Sequence, residues 1–304
     1  MPNKKPNFLV SIVGPTAVGK TDLSINIAKQ LNTEIVSADS RQFYKELEIG
    51  TAPPTPEQLN IVKHHFIGHL SIEDTMDIYS YEKQCIELLN ELFLLNKPIV
   101  FTGGSGLYID AVLNGLDELP DASPEVREEL FNTHKNEGIE ALRLMLNKLD
   151  PDFYKEVDLA NPNRMIRALE VCITTGKPFS SFRNHEKKTR NFTSIKIGLN
   201  RDREELYNRI NLRVDLMIEA GLIDEAKKFY PKRHLNSLKT VGYRELFDFF
   251  DNNCSLDFAI EKIKINSRRY AKRQLTWFNR DKEIKWFHPD EEATIIEYIN
   301  SVVN

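Results

Sequence analysis

The chain has 304 residues, with 41 lysines and arginines against 45 aspartates and glutamates and a formal net charge of −4 at pH 7. This balance excludes a global basic field, so a polyanionic partner must be held by local patches of charge. The three cysteines, Cys85, Cys172 and Cys254, are too far apart in sequence for a metal knuckle or a disulfide framework. No apolar run approaches the ~20 residues that span a bilayer. We therefore expect a cytoplasmic protein with no membrane partner.

The predicted elements begin with a strand, a glycine loop and a helix. Residues 8–13 are rich in β-formers and end at Gly14, and apolar residues then recur at four-residue spacing over 20–31. The next elements are a strand at 34–39, a helix over 81–95 and a strand at 98–102. Strands that alternate with helices indicate a parallel sheet covered on both faces.

Residues 116–193 break this alternation with helical segments. Ser123-Pro124-Glu125 is typical of a helix start, and amphipathic helices are predicted over 139–149 and 161–175. Short strands are again predicted at 194–199 and 284–287. We expect an α/β fold in which residues 1–115 and 194–304 form a parallel sheet flanked by helices, and 116–193 form a mainly helical insertion domain.

One motif carries phosphate chemistry. The stretch Gly14-Pro-Thr-Ala-Val-Gly-Lys-Thr21 fits G-x-x-x-x-G-K-[ST] and lies between the predicted strand and helix. In such a loop, backbone N–H groups converge on phosphate oxygens, Lys20 adds a positive charge and the Thr21 hydroxyl can bind Mg²⁺. The fold is therefore expected to be P-loop NTPase-like. The predicted phosphate-binding residues are Gly14, Pro15, Thr16, Ala17, Val18, Gly19, Lys20 and Thr21.

Two polar residues follow predicted strands at the edge where ligands bind in parallel sheets. The strand at 98–102 leads into Gly103-Gly-Ser105 and lacks the terminal Asp that assists Mg²⁺ in many P-loop NTPases, whereas the second strand ends at Asp39. Asp39 could act as a base toward an acceptor or, with Ser40, as a cap of a turn. Ser105 could serve catalysis or satisfy local backbone. The residues alone leave both alternatives open.

With these motifs, the sequence resembles the tRNA dimethylallyltransferases, also called tRNA isopentenylpyrophosphate transferases. The resemblance covers nearly the whole chain, in the family's order. It rests on Gly14 to Thr21, Ala38-Asp-Ser-Arg-Gln-Phe-Tyr44, Ile49-Gly-Thr-Ala52, His64-His65, Gly103-Gly-Ser-Gly-Leu-Tyr108, Asn161-Pro-Asn-Arg-Met-Ile-Arg-Ala-Leu-Glu170, Val241-Gly-Tyr-Arg244 and Arg273-Gln-Leu-Thr-Trp-Phe278.

The resemblance implies transfer of a dimethylallyl group from dimethylallyl pyrophosphate to N6 of the adenosine 3′-adjacent to the anticodon. Asp39 would accept the proton from the amine. Ser105, in the place of a family threonine, would donate a hydrogen bond to the leaving pyrophosphate. Lys20, Mg²⁺ on Thr21 and an arginine would stabilise the leaving charge. Arg209 and Arg213 are the candidates for that arginine, and a solvated basic edge is the alternative for them.

A local basic segment compensates for the acidic net charge. Residues 262–280 contain seven basic residues and no acidic one, which suits phosphates along an anticodon stem. Base flipping is expected, with Phe43 or Tyr44 available to line the pocket. The tRNA-binding residues predicted from the resemblance and from this segment are Asp39, Ser40, Arg41, Gln42, Ser105, Arg127, Asn163, Arg164, Met165, Ile166, Arg167, Lys239, Thr240, Val241, Gly242, Tyr243, Arg244, Arg268, Arg269, Lys272 and Arg273.

Other functions remain open at this stage. An adenylate isopentenyltransferase would prenylate free AMP, ADP or ATP, a P-loop kinase would phosphorylate a small metabolite, and a non-catalytic module would only bind tRNA. The chain departs from the family pattern at Pro53 and Gly68, and His64, His65 and His69 receive no role beyond a structural or tRNA-facing one. We expect a monomer.

Overall fold

The computed structural model describes residues 6–117, 119–121, 123–183 and 187–303. Within these residues, six parallel strands form one sheet in the order β3-β2-β4-β1-β5-β6. The strands are β1 (Phe8–Val13), β2 (Ile35–Ser37), β3 (His64–His65), β4 (Ile99–Gly103), β5 (Thr193–Leu199) and β6 (Lys285–Phe287). The predicted α/β fold with a parallel sheet flanked by helices is confirmed.

The central strand explains why the predicted strands are continuously apolar. Val10 and Ile12 of β1 belong to one hydrophobic cluster, and Leu9 and Val13 belong to another. Because successive side chains point to opposite faces, both faces of this strand are buried under helices. An alternation of polar and apolar residues would have left one face exposed to water.

The helices begin and end where the sequence has capping residues. Ser123 accepts a hydrogen bond from the backbone N–H of Val126, and Asn161 accepts one from that of Arg164. The helices are α1 (Lys20–Gln30), α2 (Pro56–Ile61), α3 (Ile78–Leu92), α4 (Gly106–Asn114), α5 (Pro124–Glu137), α6 (Ile139–Leu149), α7 (Pro151–Glu156), α8 (Pro162–Thr175), α9 (Arg203–Glu219), α10 (Leu222–Phe229), α11 (Tyr243–Phe250), α12 (Leu256–Phe278) and α13 (Glu292–Val303). None of the helices in the described ranges is long and apolar enough to cross a membrane.

Two strands differ from the prediction. The strand expected over 34–39 ends at Ser37, because the backbone then turns and Gln42 N–H donates to the Asp39 carbonyl. The two-residue strand His64–His65 was not predicted, since it is defined only by its pairing with β2.

The chain divides into two compact units, Met1–Asn114 with Thr189–Asn304 and Gly115–Lys188. The first, here called the sheet unit, contains the sheet and both ends of the described chain. The second, the helical unit, buries its own core from α5, α6 and α8, with Leu130, Leu142, Leu146 and Leu169 almost fully excluded from solvent. Each unit thus has a hydrophobic core of its own.

Candidate active site

The glycine loop connects β1 to α1 with the geometry that a phosphate loop requires. Gly14 has φ +152°, and a Cβ there would lie 2.6 Å from the carbonyl oxygen of Leu199, so glycine is required. Gly19 is the N-cap of α1 with φ 115°, and no side chain of the described residues caps this helix. The N-terminal end of α1 therefore offers its backbone N–H groups, together with the positive end of the helix dipole, to an anion.

Lys20 lies under this loop. Its Nζ donates to the carbonyl oxygens of Gly14 at 3.0 Å and Pro15 at 2.8 Å. Desolvation by burial lowers the pKa of Lys20 to about 8, while the Asp39 carboxylate raises it and the Arg213 guanidinium lowers it. A lysine with this pKa regains a fully charged state when an anion binds beside it.

Arg209 and Arg213 of α9 reach the same loop. Nε of Arg209 donates to the carbonyl oxygen of Ala17 at 2.9 Å, and Nη1 of Arg213 donates to the Thr16 hydroxyl at 3.0 Å. Burial lowers the pKa of Arg213, and Asp39 opposes that shift. The four-residue spacing on a helix places both guanidinium groups on one face, and that face meets the glycine loop.

Asp39 and Ser105 follow adjacent strands, β2 and β4, and lie close together. The Ser105 hydroxyl accepts a hydrogen bond from the backbone N–H of Ser40 at 3.0 Å, and the two serine hydroxyls are 3.2 Å apart. One oxygen of Asp39, Oδ1, accepts from the backbone N–H of Arg41 at 3.1 Å. The capping role of Asp39 is therefore real, and its carboxylate also borders open space on two sides.

Two cavities of the sheet unit meet at this carboxylate. The first, called the P-loop cavity, has a volume of about 340 Å³ and is bordered by Lys20, Thr21, Arg209 and residues 16–19. The second, called the basic cavity, has a volume of about 330 Å³. Residues that line both are Thr16, Ala17, Asp39, Arg213 and Tyr270. A group in one cavity can thus be next to a group in the other, with Asp39 between them.

The basic cavity carries a strong charge imbalance. Its lining contains one acidic residue, Asp39. The basic residues of its lining are Arg41, Arg213, Lys239, Arg244 and Arg273. Such a surface favours a polyanionic ligand.

Two residues of α12 lie in the site although no role was predicted for them. Tyr270 borders both cavities, and the pKa of its hydroxyl is raised by burial and by Asp39. Gln274 is buried, accepts from the backbone N–H of Thr16 at 2.8 Å and donates to the carbonyl oxygen of Gly104 at 2.9 Å. The sequence signal was the Arg273-Gln-Leu-Thr-Trp-Phe278 motif, with Tyr270 one helical turn before Gln274.

The prediction that Phe43 or Tyr44 lines the pocket is wrong. Phe43 is buried in an aromatic cluster, stacked on Tyr81 with ring centroids 5.3 Å apart and in edge contact with Tyr108. Tyr44 is buried in a second cluster. Both rings pack in hydrophobic clusters and line neither cavity, whereas Tyr270 borders both cavities.

Comparisons with known proteins find relatives over nearly the whole chain. A family model described as IPP transferase matches residues 42–281. A tRNA dimethylallyltransferase of Christiangramia forsetii is 55% identical over 98% of this chain and 99% of its own, and tRNA dimethylallyltransferase 1 of Bacteroides thetaiotaomicron is 52% identical over 96% and 94%. The crystal structure of a full-length tRNA isopentenylpyrophosphate transferase from Bacillus halodurans superposes with a TM-score of 0.73 at 37% identity, covering 99% and 97% of the two chains.

The chain belongs to the IPP transferase family. In this IPP transferase, many of the residues that the resemblance assigned to tRNA binding line the basic cavity. These are Asp39, Ser40, Arg41, Lys239, Thr240, Val241, Gly242, Arg244 and Arg273. Gln42 borders the P-loop cavity instead, and its amide donates to the carbonyl oxygens of Thr51 and Ala52 at 3.2 and 2.9 Å.

Tyr243 is an exception within its motif. Its side chain is fully buried, and its hydroxyl donates to Glu225 at 2.6 Å. The Glu225 carboxylate also accepts from the backbone N–H groups of Glu48, Ile49 and Gly50, each at 2.9 Å. The prediction that Tyr243 contacts tRNA is wrong for its side chain, which supports the loop that contains Gly50.

Of the residues of the helical unit that were predicted to bind tRNA, some are exposed and some are buried. Asn163 and Arg164 are exposed on α8, whereas Met165 and Ile166 are core residues, so their assignment to a tRNA-binding surface is wrong.

Arg127 and Arg167 of the helical unit face the buried carboxylate of Glu170. The Nε of Arg127 lies 3.2 Å from Glu170 Oε1, outside hydrogen-bond alignment, and Nη1 of Arg167 lies 3.4 Å from Oε2. About half of the Arg127 side chain is exposed. Both guanidinium groups nevertheless neutralise the buried charge of Glu170, so each has a structural role whether or not it also contacts tRNA.

The basic helix α12 presents part of its charge to solvent. Arg269 and Lys272 are exposed. Arg268 is only about a quarter exposed, at 23%, and its guanidinium donates to Asn211 at 2.6 Å and lies beside Glu261. Arg268 therefore supports packing against α9, and Arg269 and Lys272 remain candidates for phosphate contacts.

The histidines have partners that suit a structural role. Nδ1 of His64 lies 2.7 Å from the carbonyl oxygen of Val62, and Nε2 of His65 lies 2.5 Å from Glu34. His69 packs edge-on against Phe43. No group of three or more His, Cys, Asp or Glu residues able to hold a metal occurs in the described part of the chain.

The donor set around the glycine loop fits Mg²⁺, since this ion keeps several waters and takes few protein ligands when a substrate phosphate supplies the rest. Thr21 borders the P-loop cavity, and its hydroxyl is the one that the glycine-loop motif would offer to the ion.

Proposed function

We propose that this protein is a tRNA dimethylallyltransferase, which transfers the dimethylallyl group from dimethylallyl pyrophosphate to N6 of the adenosine 3′-adjacent to the anticodon and releases pyrophosphate. The observation that carries the proposal is the position of Asp39, which borders both the P-loop cavity and the basic cavity. Near-full-length identity to tRNA dimethylallyltransferases supports the same reaction. All of the groups assigned below belong to the sheet unit of one chain, so we propose that it acts as a monomer.

The donor occupies the P-loop cavity. Its pyrophosphate lies against the N-terminus of α1, with Lys20, Arg209 and Arg213 around it, because these groups supply three positive charges and a helix dipole. The apolar side chains of Ile67, Leu212 and Leu216 border the same cavity and suit the five-carbon chain of the donor.

The acceptor nucleotide occupies the basic cavity. Its phosphates are held by Arg41, Lys239, Arg244 and Arg273, the basic residues of the lining other than Arg213, and Tyr270 offers an aromatic surface to the base. An adenine stacked in the anticodon arm cannot reach Asp39, so the base leaves the stack and enters the cavity. Phosphate contacts of this kind fix the position of the RNA and make binding dependent on salt.

The reaction joins N6 of adenine to C1 of the dimethylallyl group and breaks the bond between C1 and the pyrophosphate oxygen. The N6 proton passes to the Asp39 carboxylate, since an exocyclic amine is a poor nucleophile and gains from a base at hydrogen-bond distance. Lys20, Arg213 and the loop N–H groups stabilise the charge that accumulates on pyrophosphate, and the Ser105 hydroxyl donates to the leaving oxygen. Mg²⁺ bound through Thr21 would neutralise further phosphate charge.

The test is a transfer assay with labelled dimethylallyl pyrophosphate. Transfer to a tRNA with adenosine after the anticodon is expected in the presence of Mg²⁺ and in the absence of ATP. Transfer to AMP but not tRNA would identify an adenylate isopentenyltransferase, ATP-dependent phosphorylation a kinase, and tRNA binding without transfer a binding module.

The roles of two residues are tested by Asp39→Asn and Ser105→Ala. Each should lower the rate of transfer by about 10²-fold or more, with tRNA binding largely retained. Asp248→Asn, an exposed carboxylate outside both cavities, is the matched control and should leave turnover unchanged. Full turnover by Asp39→Asn would exclude Asp39 as the base.

A further inference from the structure

We infer that Gln274 is a positioning residue that connects the phosphate loop to the loop carrying Ser105, so that the pyrophosphate-binding groups and the Ser105 hydroxyl keep a fixed separation. The inference rests on the proposed function and assigns a role to a residue that this function did not need. Gln274 lies on α12, 258 positions from Thr16 and 170 from Gly104 in sequence, and its side chain joins both.

The bridge requires a primary amide. Oε1 of Gln274 accepts from the backbone N–H of Thr16 at 2.8 Å, and Nε2 donates to the carbonyl oxygen of Gly104 at 2.9 Å. A side chain that only accepts or only donates can make one of these bonds. Gln274 is 5% exposed, and a buried backbone group that loses its partner stays unsatisfied.

Each end of the bridge adjoins a group of the reaction. The Thr16 hydroxyl accepts a hydrogen bond from Arg213 at 3.0 Å. Thr16 therefore binds Gln274 through its backbone N–H and orients an arginine of the P-loop cavity through its side chain. Gly104 precedes Ser105 directly. A Cβ at Gly104 would lie 2.3 Å from Nε2 of Gln274, which shows how closely this loop approaches α12.

Neighbouring residues of α12 hold the rest of the same loop. Trp277 packs against Gly106, where a Cβ would be 2.4 Å from the indole, and its Nε1 donates to Asp110 at 2.9 Å. Tyr270 lies one turn before Gln274; burial and the Asp39 carboxylate raise the pKa of its hydroxyl, and Ser105 opposes that rise. The helix therefore fixes the Ser105 loop at several points, and Gln274 alone links that loop to Thr16 among the described contacts.

Gln274→Met and Gln274→Glu separate a positioning role from a packing role. Gln274→Met keeps the size of the side chain and removes both hydrogen bonds, so kcat for prenyl transfer should fall 10- to 100-fold, because a small misplacement of reacting groups is costly. KM for tRNA should change less than twofold. Gln84→Met, on an exposed position of α3 outside both cavities, is the matched control and should behave as wild type.

Gln274→Glu tests the bridge through the pH dependence of a single variant, without a comparison between differently folded proteins. The ionised carboxylate accepts from Thr16 but repels the carbonyl oxygen of Gly104, whereas the protonated acid donates to it. Burial raises the pKa of such a carboxyl group. The ratio of the Gln274→Glu rate to the wild-type rate should therefore rise at least fivefold as the pH falls from 8 to 6, and this also decides the matter if Gln274→Met does not fold.

Three results would overturn the inference. The first is a kcat of folded Gln274→Met within twofold of wild type, and the second is a Gln274→Glu to wild-type rate ratio that does not depend on pH. The third is a loss of activity that, for both variants and at every pH, is accounted for by a parallel loss of thermal stability. Failure of the proposed function is recognised separately, because wild-type protein would then give no transfer to tRNA.

Discussion

The lowered pKa of Lys20 predicts how the rate of prenyl transfer depends on pH. Its pKa of about 8 in the free protein means that the ammonium group is present below that pH and is lost above it. Donor pyrophosphate binds best to the charged form, so kcat/KM for dimethylallyl pyrophosphate, which reports groups of the free enzyme, should fall as the pH rises through 8. The sign follows from desolvation, which lowers the pKa of a lysine by disfavouring its charged form.

The magnitude follows from the titration of one group. With a pKa of about 8, the charged fraction is about 0.9 at pH 7 and about 0.1 at pH 9, so kcat/KM should fall about tenfold between these values. The ordinary lysine pKa of 10.5 would leave kcat/KM nearly constant over this range. The assay is initial-rate transfer from labelled donor, with donor and tRNA both well below their KM values, repeated at constant ionic strength.

The control is Lys20→Arg, whose guanidinium stays charged throughout this range. Its absolute rate is expected to be lower because the two contacts with Gly14 and Pro15 change, but its profile between pH 7 and 9 should be flat. A flat wild-type profile would refute the assignment. An equal fall in both proteins would instead attribute the pH dependence to the donor or to the RNA.

Three further predictions concern two arginines of the site, an aromatic residue of the core and a buried carboxylate of the helical unit. Arg213→Ala should lower kcat by about 10²–10³-fold and Arg209→Ala by less, because Arg213 borders both cavities and is the more buried, as steady-state kinetics will show; equal effects would argue against this ranking. Phe43→Leu should lower the free energy of unfolding by about 1–3 kcal/mol in denaturant titration, with KM for tRNA unchanged, since the ring is in the core. Glu170→Gln should destabilise the protein by about 1–3 kcal/mol by weakening its contacts with two arginines, and a variant as stable as wild type would show that this buried carboxylate is dispensable.

Several features could be predicted from local sequence because they depend on local geometry. The glycine loop needs particular backbone conformations next to one another, and Gly14 and Gly19 supply them within six residues of sequence. The helices of residues 116–193 begin at recognisable caps, Ser123 and Asn161. A parallel sheet follows from strands that are apolar on both faces, as β1 is.

Motif membership could not predict which side of each element faces the ligand. Tyr243 and Ile166 occur in the motifs that carry the family resemblance, yet both are buried, whereas their neighbours Arg244 and Arg164 are exposed. Basic character was equally ambiguous, because Arg167 faces a buried glutamate that only the folded helix brings to it.

The sequence by itself predicted a phosphate loop over residues 14–21 and placed Asp39 and Ser105 after strands at one edge of a parallel sheet, since both predictions need only the order of strands along the chain and the chemistry of the loops. The tertiary structure decided that two cavities meet at Asp39 and that Arg213, Tyr270 and Gln274 complete the site. Those three residues belong to helices α9 and α12. Because they are far from the glycine loop along the chain, only the packing of these helices in the folded protein brings them to it.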